Sequence, residues 1–280
     1  MSASLFPELD PPRRTYICFN SGGNDSIATL QLMVSAGLPE TARVVSLYTN
    51  TGWAADYWRD RMSLVDDWCR ARGIQHVELG TKGFERLVLD GDAGTIHFPN
   101  GMRKTCTERL KIIPAQKWMD KEDPHKLAIC VLGVRRSESK RRMNTPIFEA
   151  SSPNHGGRSL WKPLAEYNDG QRDSMLKAAG FDPLPHRSDE CEVCIHANRA
   201  DLRRISERGI ERVRALEAAT GKVMFRPKAY AGAVGIDEVM RWAHSERGEF
   251  RPAVPVPPNA IVFDDGEEKL GGCEDDFCGI

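Results

Sequence analysis

No apolar run in this chain is long enough to cross a membrane. The best uninterrupted stretch, LAICVLGV from Leu127 to Val134, is the length of one strand. The opening residues MSASLFPELDPPRRT lack an apolar core and a small-residue cleavage pattern. A secretory leader is therefore not expected, and the protein is expected to be cytoplasmic with no membrane partner. Charge of one sign is also missing: 39 Lys and Arg stand against 40 Asp and Glu, a net charge of −1. That excludes a chain that gathers nucleic acid by bulk charge. There is no internal repeat and no G-K-[ST] phosphate loop. Eight cysteines occur without an export signal, which argues against a disulfide framework and for thiol, metal or redox chemistry in a reducing compartment.

What is present is a globular composition, 40% apolar and 28% charged over 280 residues, enough for one large α/β domain with an appendage. Strand-like runs at 15–19, 43–48, 74–78 and 126–132 alternate with helix-like runs at 26–36 and 56–72. Alternation of this kind implies a twisted parallel sheet with helices on both faces, a Rossmann-like α/β fold. The pattern changes near residue 150. Residues 1–150 are expected to form the α/β domain. Residues 151–250 are expected to form a small helical region carrying a C-x-x-C and one long polar helix near 200–220. Residues 251–280 are expected to form a proline-rich linker and a cysteine-containing tail.

In such sheets ligands lie at the carboxyl ends of the strands. Three polar segments fall there: NSGGNDS (Asn20–Ser26), TNTGW (Thr49–Trp53) and GVRRSES (Gly133–Ser139). In the first, a strand, a diglycine turn and a helix start follow one another. Amides of the turn and the positive end of the helix dipole would point at one spot, a geometry suited to phosphate. The plain alternative is a glycine turn with Asp25 and Ser26 capping the helix.

The loop resembles the PP-loop of the ATP pyrophosphatases, the adenine nucleotide α-hydrolase superfamily. That resemblance implies cleavage of ATP between its α- and β-phosphates. Ser21, Gly22, Gly23, Asn24 and Ser26 would hold the pyrophosphate, and Asp25 would hold Mg²⁺. Later segments narrow the resemblance to the PAPS reductase-like proteins. Thr51 and Gly52 match their nucleotide-contacting strand end. Gly133, Arg135, Glu138, Ser139 and Arg142 match G-x-R-x-x-E-S-x-x-R, and WKPLAEYNDGQ resembles P-[IL]-x-x-W. Arg135 and Arg142 suit an anion, because a guanidinium fork pairs with phosphate or sulfate oxygens. The intact SGGxDS loop favours ATP over PAPS or APS and likens the chain to the sulfur-inserting relatives of the DNA phosphorothioation and thiolation type.

The same resemblance groups Cys106 with the C-x-x-C of Cys191 and Cys194 as ligands of a [4Fe–4S] cluster, with Zn²⁺ as the alternative metal. Cys273 or Cys278 would complete the set, or one iron would stay open. The ending Cys278-Gly279-Ile280 also resembles the mobile C-terminal nucleophile of PAPS and APS reductases, although neighbouring Glu274, Asp275 and Asp276 disfavour a thiolate. Cys18, Cys69 and Cys130 fall on core positions. His97, His155 and His186 read as loop histidines, and the arginines from 199 to 214 as a solvated helix face with interleaved acids.

Three functions follow: an ATP-cleaving sulfur-transfer enzyme with an iron–sulfur cluster, a sulfonucleotide reductase acting through Cys278, or a nucleotide-binding subunit without turnover. Expected partners are an adenine nucleotide, a sulfur donor such as a cysteine desulfurase or a thioredoxin-type reductant, and a nucleic-acid substrate.

Overall fold

The computed structural model describes residues 14–91, 97–101 and 103–253. Six strands form one sheet in the order β3-β2-β1-β4-β6-β5. They are β1 (Thr15–Phe19), β2 (Arg43–Asn50), β3 (Gln75–Gly80), β4 (Ile129–Val131), β5 (Phe148–Ser152) and β6 (Arg158–Trp161). All neighbours run parallel except β5, which pairs antiparallel with β6 at the sheet edge. The helices are α1 (Asn24–Ser35), α2 (Leu38–Thr41), α3 (Trp58–Arg70), α4 (Phe84–Asp90), α5 (Thr105–Thr107), α6 (Ile113–Glu122), α7 (Asp169–Ala179), α8 (Arg199–Leu202), α9 (Glu207–Thr220) and α10 (Ile236–His244). A π-helical turn, Glu108–Ile112, joins α5 to α6.

Alternate strand residues enter two separate cores, as a pleated sheet buried on both faces requires. Cys18, Val44, Tyr48 and Val131 pack with Leu30 and Met33 of α1, Val65 of α3 and Leu176 of α7. Ile17, Phe19, Leu47, Cys130 and Leu160 pack on the other face with Ala115 and Met119 of α6. A third core joins α4, α8, α9 and α10 around Trp53, Val193 and Tyr230.

The four expected strands and the first two helices are present, with ends shifted by up to three residues. The run expected at 126–132 narrows to Ile129–Val131, because Lys126 turns through positive φ (57°) while Asp123 accepts the amides of Leu127 and Ala128. The long polar helix is two: α8 ends at Leu202, and α9 starts afresh from Ser206, whose hydroxyl accepts the Gly209 amide. The expected border at residue 150 falls inside β5. Beyond it, β6 joins the parallel sheet and α7 packs on α1.

The chain builds outward from β1 to β2 and β3, then crosses to place β4 on the other side of β1. The crevice outside the carboxyl ends of β1 and β4 is thus a topological switch point, where open α/β sheets bind ligands.

Candidate nucleotide and cysteine site

The turn after β1 is fixed by what its carbonyls bond to. Ser21 O accepts Trp58 Nε1 (3.0 Å) and Ser188 Oγ (3.3 Å), and Gly22 O accepts Arg61 Nε (2.6 Å). In a trans peptide the amide points away from its carbonyl. The Gly23 N–H is therefore turned away from Arg61. Gly22 sits at φ +72°, a conformation that favours glycine, and a Cβ there would lie 2.6 Å from Met62 Sδ, so Met62 would have to shift to admit any side chain. The Gly22 N–H goes to Asn20 Oδ1 (2.8 Å), while Asn20 Nδ2 donates to Ser46 Oγ (3.0 Å) on β2. Gly22 therefore shapes the loop, its own amide being taken by Asn20.

Helix α1 starts from Gly23, so no side chain caps its first amides. Asp25 and Ser26 lie inside the first turn and are not the N-cap. Ser26 Oγ instead donates back to Gly23 O (3.0 Å). Asn24 faces the protein and exchanges two hydrogen bonds with the backbone of Leu184, each 2.9 Å.

Gly133, just past β4, lets that strand end touch α1. A Cβ at Gly133 would lie 2.6 Å from Asp25 O. This closeness places Arg135 against Asp25. Arg135 Nε donates to the Asp25 carboxylate, and its Nη1 reaches Asp169 (2.9 Å) and Ser137 Oγ (3.2 Å). Glu138 accepts the Arg135 amide (3.1 Å) and pairs with Arg142. Arg135 and Arg142 are 4% and 6% exposed, so neither is a solvated surface charge. Burial pushes the Asp25 carboxyl up to about 6, Glu138 adds to the rise, and Arg135 opposes it.

On the other side of the loop, the segment carrying the C-x-x-C is stitched to the end of β2. Ala55 N donates to Asp189 O and Glu192 N to Trp53 O (both 3.0 Å), and Trp53 Nε1 donates to Val193 O (2.7 Å). Between them lies a buried ion pair, Lys111 Nζ to Glu190 Oε2 (2.7 Å), whose carboxylate also accepts Thr51 Oγ1 (2.8 Å). Cys191 Sγ donates to Glu190 Oε2 (3.2 Å). Cys106, Cys191 and Cys194 share one electrostatic neighbourhood. Burial, then Cys194, pushes the Cys106 thiol up to about 11, and burial, then Glu190, holds the Cys191 thiol well above its usual range. Without a metal these two thiols hold their protons. Lys111 faces Cys191 and Cys106, and Arg187 bonds Cys194 and is held charged chiefly by it. A pocket of about 240 Å³ opens beside Cys194, bordered by Tyr57, Arg187, Asp189 and Arg204.

Among the described residues, no three His, Cys, Asp or Glu side chains converge closely enough to hold a metal ion. The donor chemistry still fits a thiophilic group: three soft sulfurs beside two cations that would balance thiolate charge.

Residues 15–186 match the family model of the phosphoadenosine phosphosulfate reductase domain. The chain belongs to that family. An uncharacterized 37.8 kDa protein of Escherichia phage 186 is 25% identical over 235 residues, 75% of this chain and 67% of that one. Among solved structures, the U34-tRNA thiolase NcsA of Methanococcus maripaludis with its [4Fe–4S] cluster aligns over 84% of this chain and 82% of its own, with 14% identity and a TM-score of 0.43. FMN adenylyltransferase of Candida glabrata in complex with FAD and inorganic pyrophosphate aligns with 13% identity and a TM-score of 0.38. That match covers 62% of this chain, which spans about half (51%) of the adenylyltransferase.

In this reductase-domain protein the expected site residues fall into two groups joined through the loop. Ser21–Ser26, Gly133, Arg135, Glu138 and Arg142 form one connected group. Thr51, Cys106, Cys191 and Cys194 form the other, with Gly52 at their rim, where its carbonyl accepts Arg212 Nη2 (2.5 Å). Cys273 and Cys278 lie outside the described residues. Cys18, Cys69 and Cys130 are fully buried core residues, as expected. His97, His155 and His186 bond Val88 O, Ser152 Oγ and Arg187 O within their loops. The arginines between residues 199 and 214 bond to protein groups: Arg199 and Arg203 to backbone carbonyls, Arg204 to Asp189, and Arg214 to Asp237.

Sequence reasoning missed Trp58, Arg61 and Ser188, which hold the loop's carbonyls, and the Lys111–Glu190 pair. No local motif marks the first three. Lys111 had a signal, since it begins the K-x-x-P after Cys106, and Glu190 directly precedes the C-x-x-C.

Proposed function

We propose that this family member binds Mg²⁺–ATP in the β1–β4 crevice, releases pyrophosphate, and so activates an acceptor for sulfur transfer. The observation that carries this is the Asp25–Arg135 pair standing over an uncapped helix start at the switch point. The amides of Gly23, Asn24 and Asp25 would receive the departing pyrophosphate. Asp25 would hold Mg²⁺, which neutralises charge on the β-phosphate side. Arg135, held by Asp25, Asp169 and Ser137, would offer its guanidinium fork to the α-phosphate and stabilise the charge that develops there. Arg142 acts through Glu138, which fixes the Arg135 backbone. An acceptor oxygen attacks the α-phosphorus, pyrophosphate leaves, and a sulfur nucleophile then displaces AMP.

Cys106, Cys191 and Cys194 would hold an iron–sulfur cluster, with Cys273 as the fourth ligand; zinc is the alternative for the same donors. When bound, the cluster would supply an iron for sulfide or electron transfer. Lys111 and Arg187 would balance the thiolate charge. A sulfur donor such as a cysteine desulfurase is the partner this chemistry calls for.

The family match favours a second reading, a sulfonucleotide reductase in which Cys278 attacks the sulfur of PAPS or APS and a thioredoxin-type reductant resolves the product. One experiment separates the two. The purified chain is given ATP, PAPS or APS with Mg²⁺, and pyrophosphate and sulfite are measured. Pyrophosphate from ATP that disappears in Asp25→Asn supports the first reading. Sulfite from a sulfonucleotide with no pyrophosphate from ATP overturns it.

A further inference from the structure

A second arginine meets Arg135 on its solvent side. Arg172 lies one turn into α7, and the two guanidinium groups converge on one oxygen. Asp169 Oδ1 is 2.9 Å from Arg135 Nη1 and 3.3 Å from Arg172 Nη1. The Arg172 side chain is 14% exposed and that of Arg135 still less, whereas the Asp169 side chain is 76% exposed. Two largely buried cations therefore share a carboxylate that stands in water.

Both cations are held in place by other groups. Arg135 is fixed by Asp25 and Ser137. Arg172 is fixed by Asp173, which accepts its Nε (2.8 Å) and Nη2 (2.7 Å) and leaves Nη1 to Asp169. The helix that carries Arg172 is anchored as well. Asn168 caps α7 by accepting the Gln171 amide (2.9 Å), and Leu176 and Ala179 pack in the same core as α1. Arg172 also lies close enough to the Asp25 carboxylate to interact with it electrostatically. Asp169 is therefore the exposed member of a rigid set, and it is not the cap of its helix. An ion pair with an exposed partner is weak. A tetrahedral oxyanion carries more charge and more acceptor atoms than one carboxylate oxygen, and two guanidinium forks suit it better.

We propose that Arg135 and Arg172 form an oxyanion subsite beside the β1–β4 crevice, for which the Asp169 carboxylate competes with the ligand. The group it takes is a phosphate or a sulfo group. Its role toward a nucleotide rests on the proposed function, but the subsite itself is tested with inorganic anions. Binding of pyrophosphate and of sulfate to the full chain is measured by titration calorimetry at constant ionic strength. Asp169→Asn should bind both anions about two- to fivefold more tightly, the strength of one exposed ion pair. Arg172→Met should weaken both by at least about tenfold, the loss of a charged hydrogen bond. Arg172→Lys, which keeps the charge without the fork, should recover part of that loss. The gain from Asp169→Asn should shrink in the Arg172→Met background, because the two residues are in contact. Glu166→Gln removes the same charge from an exposed carboxylate paired with Arg136, and should change anion affinity little. AMP and APS, which differ by a sulfo group, then identify the occupant. A gain in Asp169→Asn shared by both assigns the subsite to the nucleotide's own phosphate, and a gain confined to APS assigns it to the sulfo group.

Three results would overturn the subsite: equal anion affinity in wild type and Asp169→Asn, an equal gain in Glu166→Gln, or unaltered affinity in Arg172→Met. Absence of anion binding in wild type and Asp169→Asn alike would overturn it too. ATP turnover is a separate readout. Anion affinities that shift as expected, with no pyrophosphate released from ATP, fault the proposed function and leave the subsite standing. Pyrophosphate release with unresponsive anion affinities does the reverse. Melting by circular dichroism checks folding, and the exposed Asp169→Asn variant should melt within about 3 °C of wild type. Should Arg172→Met fail to fold, the contrast between Asp169→Asn and Glu166→Gln decides alone.

Discussion

Two buried arginines sit at opposite ends of the same sheet and are held in opposite ways. Arg158, at the amino end of β6, is fully buried and gives its five donors five hydrogen bonds. They go to the Asp123 carboxylate (2.7 Å) and Asp120 (3.1 Å), and to the backbone carbonyls of Met119 (2.9 Å), Asp123 (2.7 Å) and His155 (3.2 Å). Arg135, past the carboxyl end of β4, bonds to side chains: Asp25, Ser137 and Asp169, the last 76% exposed. Carbonyls of helices and turns do not move aside, whereas side chains exchange partners. One arginine is therefore a fixture of the fold, and the other is held by groups that can exchange partners. The difference distinguishes two kinds of buried charge that depth alone does not, since both are almost inaccessible.

The comparison breaks most visibly at the structural end. Arg158→Met should cost about 3–5 kcal/mol in urea unfolding, because it leaves buried carbonyls without a donor and takes the cation from Asp123, which keeps only the amides of Leu127 and Ala128. Nucleotide affinity of the folded fraction should be nearly unchanged. At the other end, Asp25→Asn should lower pyrophosphate release by about 10²–10³-fold. Its unfolding free energy should move by less than about 1 kcal/mol, because the buried carboxylate already lies near Glu138 and Arg135 keeps Asp169 and Ser137. If Asp25→Asn instead unfolds the protein, the pair belongs with Arg158 as a fixture. Gly133→Ala tests the joint between the two. Its methyl would meet the Asp25 carbonyl at 2.6 Å, so a loss of about 1–3 kcal/mol is expected, together with weaker ATP binding as the Asp25–Arg135 register shifts.

The working end was the more legible in the sequence. Ser21–Ser26, Gly133 and Arg135 are contiguous with strands, and the strand-turn-helix order alone placed them at carboxyl ends. What holds them was not legible. Trp58 and Arg61 bond loop carbonyls from a helix 37 and 39 positions along the chain, and Ser188 does so from 167 positions away. Hydrophobic periodicity reports which face of α3 is buried, not which buried indole has found a carbonyl. The edge pair β5 and β6 escaped for a related reason. PNHGGR between them reads as loop, and strands of five and four residues with mixed polarity show little alternation. The break between α8 and α9 was written in Ser206 and Gly209, a cap inside an otherwise helical charge pattern.

The smallest expected effect lies at the structural end and has a definite sign. Burial pushes the Asp123 carboxyl up, but the Arg158 bond and the amides of Ala128 and Leu127 outweigh it and hold it below the usual carboxylate range. A depressed folded-state value means that the unfolded chain takes up the proton first as pH falls. The stabilisation is therefore complete above the ordinary aspartate value near 4 and drains away as pH drops through the lower, folded value. Asp25, displaced upward, works in the other direction: its ionisation between about 4 and 6 opposes folding. Melting temperature against pH should accordingly fall on the acid side below about 4, and Asp123→Asn should flatten that limb while lowering the plateau. Asp25→Asn should leave the acid limb in place and remove the shallow loss between about 4 and 6. An acid limb unchanged in Asp123→Asn would mean that Arg158 is anchored by Asp120 and the carbonyls of Met119, Asp123 and His155, with nothing added by the Asp123 carboxylate.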